Sequence, residues 1–262
     1  MIRRAAGFTL LELAMVLMVL GLVLAGGIGP LETQLEQRDR AATQVSLERV
    51  RDALLGYAGT YGRLPCPDAD GDGLPDPVFD PARKASASCA RSTGFLPGAE
   101  LGVLATDAWG NRLVYRVTAP RFTWPDADGL CNGNASGELD LCAQGEITVR
   151  SRGDNPQTNG QSEGKFDLVL ADKVPALVVS PGRNRAGATG ANGLTHAAPS
   201  GEDEQDNANG DARYLLRNPT RGAPSCSDSG NEATPLCEFD DLGVWLSPVV
   251  LQERLVASGR LP

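Results

Sequence analysis

The chain has 262 residues, 33 acidic against 24 basic, for a formal charge of −9, and a single histidine, His196, in a Gly/Ala-rich stretch. So acidic a balance argues against nucleic acid as a general partner, because neutralising phosphates needs clustered Lys and Arg, and one histidine leaves little room for a zinc site or His-based catalysis. Six cysteines without a C-x-x-C pair argue against thioredoxin-like and zinc-ribbon readings and point to disulfides in an oxidising compartment.

The first element is Phe8–Ile28, apolar except for Thr9 and Glu12. As a helix it would span about 31 Å, one hydrocarbon thickness, with Arg3 and Arg4 holding its start on the cytoplasmic side. A secretory signal cleaved after Gly26 or Gly27, or a plain single-span anchor, fits the length. Neither explains Glu12, since a carboxylate at the centre of a membrane helix costs about 2.5–3.5 kcal/mol.

The string Gly7-Phe8-Thr9-Leu10-Leu11-Glu12, with the apolar run behind it, resembles the class III leader of type IV pilins and type II secretion pseudopilins. The resemblance implies cleavage between Gly7 and Phe8 by a prepilin peptidase, N-methylation of Phe8, and pairing of Glu12 with the new amine on its own or a neighbouring subunit. A buried charge that finds a partner avoids most of its desolvation penalty, so Glu12 reads as an assembly register.

Gly26, Gly27, Gly29 and Pro30 mark the end of the apolar helix or a kink within it. From Leu31 the period is helical, with Leu31, Leu35, Ala42, Val45, Leu47, Val50, Leu54 and Ala58 near one face. Gly56, Gly59 and Gly62 loosen that helix and Pro65 stops it. Tyr61-Gly62-Arg63-Leu64-Pro65 is similar to the transition that closes the same helix in major pseudopilins. Thr106–Val117 resembles their Asp-Pro-Trp-Gly-Asn turn, with Ala108 in place of the proline.

Strands are expected at Leu113–Val117, Glu146–Arg150, Phe166–Leu170, Ala176–Ser180, Arg213–Leu216 and Asp240–Ser247, joined as an antiparallel meander. A closing helix has Ser247 as N-cap, Pro248 first, Val249–Ser258 as body and Gly259 as stop. Of the 15 possible cysteine pairings, the sequential set Cys66–Cys89, Cys131–Cys142 and Cys226–Cys237 closes the shortest loops, each worth about 3 kcal/mol on the chain-entropy model.

Two acidic stretches are candidate calcium sites. Asp68, Asp70, Asp72 and Asp76 follow a D-x-D-x-D-G start, without the bidentate acid at position 12, where Phe79 stands. Glu202, Asp203, Asp206, Asn207 and Asp211 lie in a base-free stretch that resembles the Gly/Asp-rich calcium loop of major pseudopilins. Solvated turns are the competing reading of both. Asp126–Asp140 is a third, weaker candidate, better read as a disulfide-closed loop.

The expectation is therefore an α+β, pilin-like chain: a leader at 1–7, a transmembrane or filament-core helix at 8–29, an amphipathic stalk helix at 30–62 packed on an antiparallel sheet, and a loop-rich, disulfide-bonded head at 63–262 ending in a short helix. The resemblance implies a structural subunit of a type II secretion pseudopilus or type IV pilus, non-enzymatic, and a minor one by the size of its head. Its implied partners are other pilin or pseudopilin subunits, the prepilin peptidase and methyltransferase, the inner-membrane assembly platform and the inner membrane. The implied location is single-pass in the inner membrane with a periplasmic head, then in a periplasmic or extracellular filament. The alternative is a membrane-anchored periplasmic binding protein or carboxylate-based hydrolase outside any filament; the chain has no H-E-x-x-H to support an enzyme.

Overall fold

The computed structural model describes residues 9–78, 88–119, 121–123, 143–152, 168–228 and 234–261, with the backbone alone over 22–31. The chain divides into a unit of residues 1–41 and a unit of residues 42–262. Helix α1 (Leu10–Tyr61) is a single element of 52 residues. It runs through Pro30 without ending, so of the two readings of Gly26, Gly27, Gly29 and Pro30, an end of helix does not hold.

In the first unit, every large apolar side chain described from Leu10 to Leu20 is at least half exposed. Charge returns with Glu32, Glu36 and Arg38. Among the described residues no helix is long and apolar enough to cross a membrane. This corrects the transmembrane assignment of 8–29 and, with it, the single-pass inner-membrane location. The expected long transmembrane and stalk helix is corrected with it; residues 42–61 of α1 belong to the compact second unit.

That unit is built in three layers. Strands β1 (Thr93–Phe95), β2 (Val114–Val117), β5 (Ala176–Ser180) and β7 (Leu242–Trp245) form an antiparallel sheet in the order β1-β2-β5-β7. Strands β3 (Ile147–Ser151), β4 (Leu168–Val174) and β6 (Arg213–Leu215) form a second sheet in the order β4-β3-β6. The short helices α2 (Gly98–Leu101) and α3 (Glu202–Ala208) lie in the connections, and α4 (Pro248–Ala257) closes the chain.

Alternation along the strands decides which layer meets which. Tyr115, Val117, Ala176, Val178, Val244 and Leu246 turn one face of the first sheet toward Leu47, Val50, Leu54 and Ala58 of α1 and Leu251 and Leu255 of α4. Leu177, Val179 and Trp245 turn the other face toward Ile147, Val149, Val174 and Tyr214 of the second sheet. The spacing 47, 50, 54, 58 is one stripe of an α-helix, which is why this half of α1 is core.

Two features differ from the sequence expectation. The strands form two sheets and not one meander, and β3 pairs with β6 in parallel, because β4, β5 and α3 intervene and bring the chain back in the same direction. The strand at Thr93–Phe95 and the helix at Glu202–Ala208 were not expected. Cys66–Cys89 and Cys226–Cys237 are bonded, with Cα separations of 5.3 and 4.8 Å; Cys131 and Cys142 lie outside the described residues.

Helix ends follow local chemistry. Gly62, at φ +71°, donates its amide to Ala58 O and stops α1. Gly259, at φ +69°, does the same for α4, which begins with Pro248 behind Ser247.

Candidate functional site

Gly7 and Phe8 lie outside the described residues. Glu12 is at the head of α1, where Thr9 and Glu12 cap each other. The Thr9 amide and hydroxyl both donate to Glu12 Oε2 at 3.2 Å, and the Glu12 amide donates to Thr9 Oγ1 at 3.2 Å. This is a capping box, two orphan donors satisfied reciprocally at N-cap and N3. Sequence reasoning passed over it, although T-x-x-E ahead of an apolar run is its signal. Glu12 Oε1 takes no hydrogen bond among the described residues, so one carboxylate oxygen is left for another partner.

The first acidic stretch gathers as expected, but for a local reason. Asp68, Asp70 and Asp76 bring carboxylate oxygens within 4.8 Å of one another. Asp68, almost fully buried, accepts from Gly71 N at 2.6 Å and Gly73 N at 2.8 Å. Asp76 accepts from Ala69 N, and Asp70 from Asp72 N. Asp72 points elsewhere, accepting from Leu74 N. Gly71 and Gly73, both at φ +88°, allow the chain to wrap so tightly. Arg112 donates to Gly71 O at 2.8 Å, placing a guanidinium against the loop. The carboxylates retain lone pairs for a cation, yet their first partners are backbone amides.

The second stretch does not converge. Most of it is α3, and its members serve different partners. Fully buried Asp203 is held bidentately by Arg152, at 2.8 and 2.7 Å, and by Arg217 Nε at 2.7 Å. Asn207 donates to Leu215 O and Asp241 Oδ2 and accepts from Leu215 N. Asp211 pairs with Arg213 at 3.1 Å, while Glu202 is exposed and Asp206 half-buried.

Two constellations were missed by sequence reasoning. The first is the ion network around Asp203. Arg152 is fully buried at the end of β3 and also donates to Asp228 O. Arg217 reaches Thr220 Oγ1 at 2.7 Å, stacks over Phe239 at 4.4 Å, and lies 3.6 Å from Asp228 Oδ1. Asp228 in turn accepts from the Cys237 amide at 3.0 Å. Bidentate arginine pairing compensates the charges that burial would otherwise penalise.

The second is a triad of carboxyls, Glu204, Asp240 and Asp241, also within 4.8 Å. Asn184 Nδ2 and the Asp240 amide donate to Glu204 Oε1 at 2.8 and 3.2 Å. Burial pushes the Glu204 carboxyl up to about 7, helped by the charges of Asp240 and Glu238. Burial raises Asp241 well above the usual carboxylate range, with Glu204 and Asp240 adding repulsion against the opposing bond from Asn207 and charge of Arg217. Glu204, Asn207 and Asp241 line a cavity of about 120 Å³. The visible signal was Asp240-Asp241 set between Phe239 and Leu242 in a predicted strand, where a solvated acid is out of place.

Thr106–Val117 forms the predicted turn. Asp107 accepts from Trp109 N, Asn111 N, Asn111 Nδ2 and Ser180 Oγ at 2.8–3.0 Å, and Gly110 takes φ +81°. Comparison of the chain with protein-family models, curated proteins and solved structures returns no match.

Proposed function

We propose that this chain is a non-catalytic structural subunit of a pilin- or pseudopilin-type filament, processed between Gly7 and Phe8 and assembled through the N-terminal part of α1. The observation that carries the reading is the exposed apolar run Leu10–Leu20, headed by an acid with an unused carboxylate oxygen. Such a surface is stable in water only when covered, and identical neighbouring helices cover it while presenting an amine to Glu12. The enzyme alternative gains less support: the cavity at the buried carboxyls, about 120 Å³, is below the roughly 300–1,000 Å³ of ordinary ligand pockets.

The capping box makes the test specific. Gln serves at N3 of such a box as Glu does, so Glu12→Gln keeps the helix start and removes only the charge. Glu12→Gln is expected to be processed normally, by mass spectrometry of a methylated Phe8, and to be lost from filaments recovered by shearing. Wild-type incorporation of Glu12→Gln would leave the residue as a helix cap and nothing more.

A further inference from the structure

β7 is the terminal strand of its sheet. Leu246 N donates to Ala176 O at 2.9 Å, and the β5–β7 register then turns the amides and carbonyls of Leu242 and Val244 toward β5. Those of Gly243 and Trp245 point the other way, to the free edge. Among the described residues no hydrogen bond reaches them. Two grooves meet there, and Gly243 and Trp245 line both. One, of about 630 Å³, is walled by Glu48, Arg51 and Asp52 of α1 and Val250 and Arg254 of α4. The other, of about 400 Å³, is walled by Leu168 and Leu170 of β4 and by Leu216. Leu168 and Leu170 are exposed.

We propose that this edge accepts an extended segment of another polypeptide as a fifth strand of the sheet, antiparallel or parallel to β7, with apolar side chains facing β4 and a carboxylate facing Arg254. Outward amides and carbonyls repeating every second residue are matched by an extended backbone, and the two walls read its alternate side chains. The charge preference follows from the helical wall. Glu48 and Asp52 both lie on Arg51, at 2.6 and 3.7 Å, whereas Arg254 has no ion pair among the described residues. A second copy of β7 would make protection of this edge depend on protein concentration, which separates it from a peptide.

The test uses the full chain in a mild detergent that covers Leu10–Leu20. The probe is a blocked eight-residue peptide of alternating Val and Thr, with one Thr replaced by Glu. Exchange of the Gly243 and Trp245 amides is expected to slow at least tenfold on saturation, with no change at β1. N-methylating the peptide at every second residue is expected to abolish binding in one register and spare it in the other, which leaves the protein unaltered. Leu170→Asp should abolish binding, and Arg254→Ala should reduce the Glu peptide to the affinity of its Gln counterpart. Unchanged exchange at Gly243 and Trp245 in millimolar peptide overturns the proposal. So does protection that grows with protein concentration without peptide, which would assign the edge to a second copy, and so does equal tolerance of both N-methylation registers.

Discussion

The two acidic stretches have nearly the same composition and opposite fates. Around Asp68 the carboxylates fold back onto amides within eight residues of themselves. Around Asp203 the chain coils into α3, and the decisive partners, Arg152 and Arg217, come from just after β3 and from the segment after β6. Acidity alone therefore says where partners are needed and not where they come from. A local partner makes a loop; a distant one joins elements.

The contrast can be broken most forcefully at Arg152. Arg152→Ala should lower the unfolding free energy of the head by about 3 kcal/mol in a urea titration, because it removes the bidentate partner of the fully buried Asp203 and leaves Arg217 Nε to hold it. Arg152→Met combined with Asp203→Leu should recover part of that, since Arg217 loses Asp203 but keeps Asp228 at 3.6 Å. A loss below about 1 kcal/mol for the single variant would mean that α3 is not joined through this pair. Next comes the local side. Asp68→Ala frees two loop amides and should cost about 1–3 kcal/mol, while exposed Asp72→Ala should cost a few tenths in the same titration. Equal losses would mean that the loop does not depend on its buried acid.

A smaller effect is set by proton uptake at Glu204. Its carboxyl titrates near 4.5 when unfolded and about 7 when folded, so the unfolded chain gives up its proton first as pH rises. Stability therefore falls between about pH 4.5 and 7 and levels off above, by about 1 kcal/mol once solvent screening is allowed for. Glu204→Gln should flatten that part of the profile; an unchanged slope would move the proton to another group. The smallest expected effect is from metal. With amides already seated on Asp68, Asp70 and Asp76, the thermal midpoint should agree within about one degree between calcium and chelator. A rise of several degrees in calcium would assign a cation to that loop.

Much of the head was legible because its signals are local. The turn at Trp109-Gly110-Asn111, strand β5 at Ala176–Ser180, the stripe Leu47-Val50-Leu54-Ala58 and the helix between Pro248 and Gly259 each follow from period or capping. What escaped was long-range. Nothing near Glu202 announces a buried arginine at Arg152, and nothing near Arg213 announces a parallel partner at β3. The apolar run at Leu10–Leu20 was legible as apolar, but hydropathy does not specify what covers it, and the membrane-spanning assignment drawn from it does not hold for the described helix. The cap at Glu12 is not legible from its charge; it lies in the T-x-x-E spacing that joins it to Thr9.

Residues 260 and 261 tie the head together over a long sequence separation. Arg260 donates to Gly59 O and Thr60 O, across 201 and 200 residues, and Leu261 is buried beside Leu255 and Leu64. A helix from the start of the head thus receives core neighbours from about two hundred residues further along. Deleting residues 248–261 would leave Leu54 and Ala58 without Leu251 and Leu255, a folding lesion rather than the loss of a surface segment.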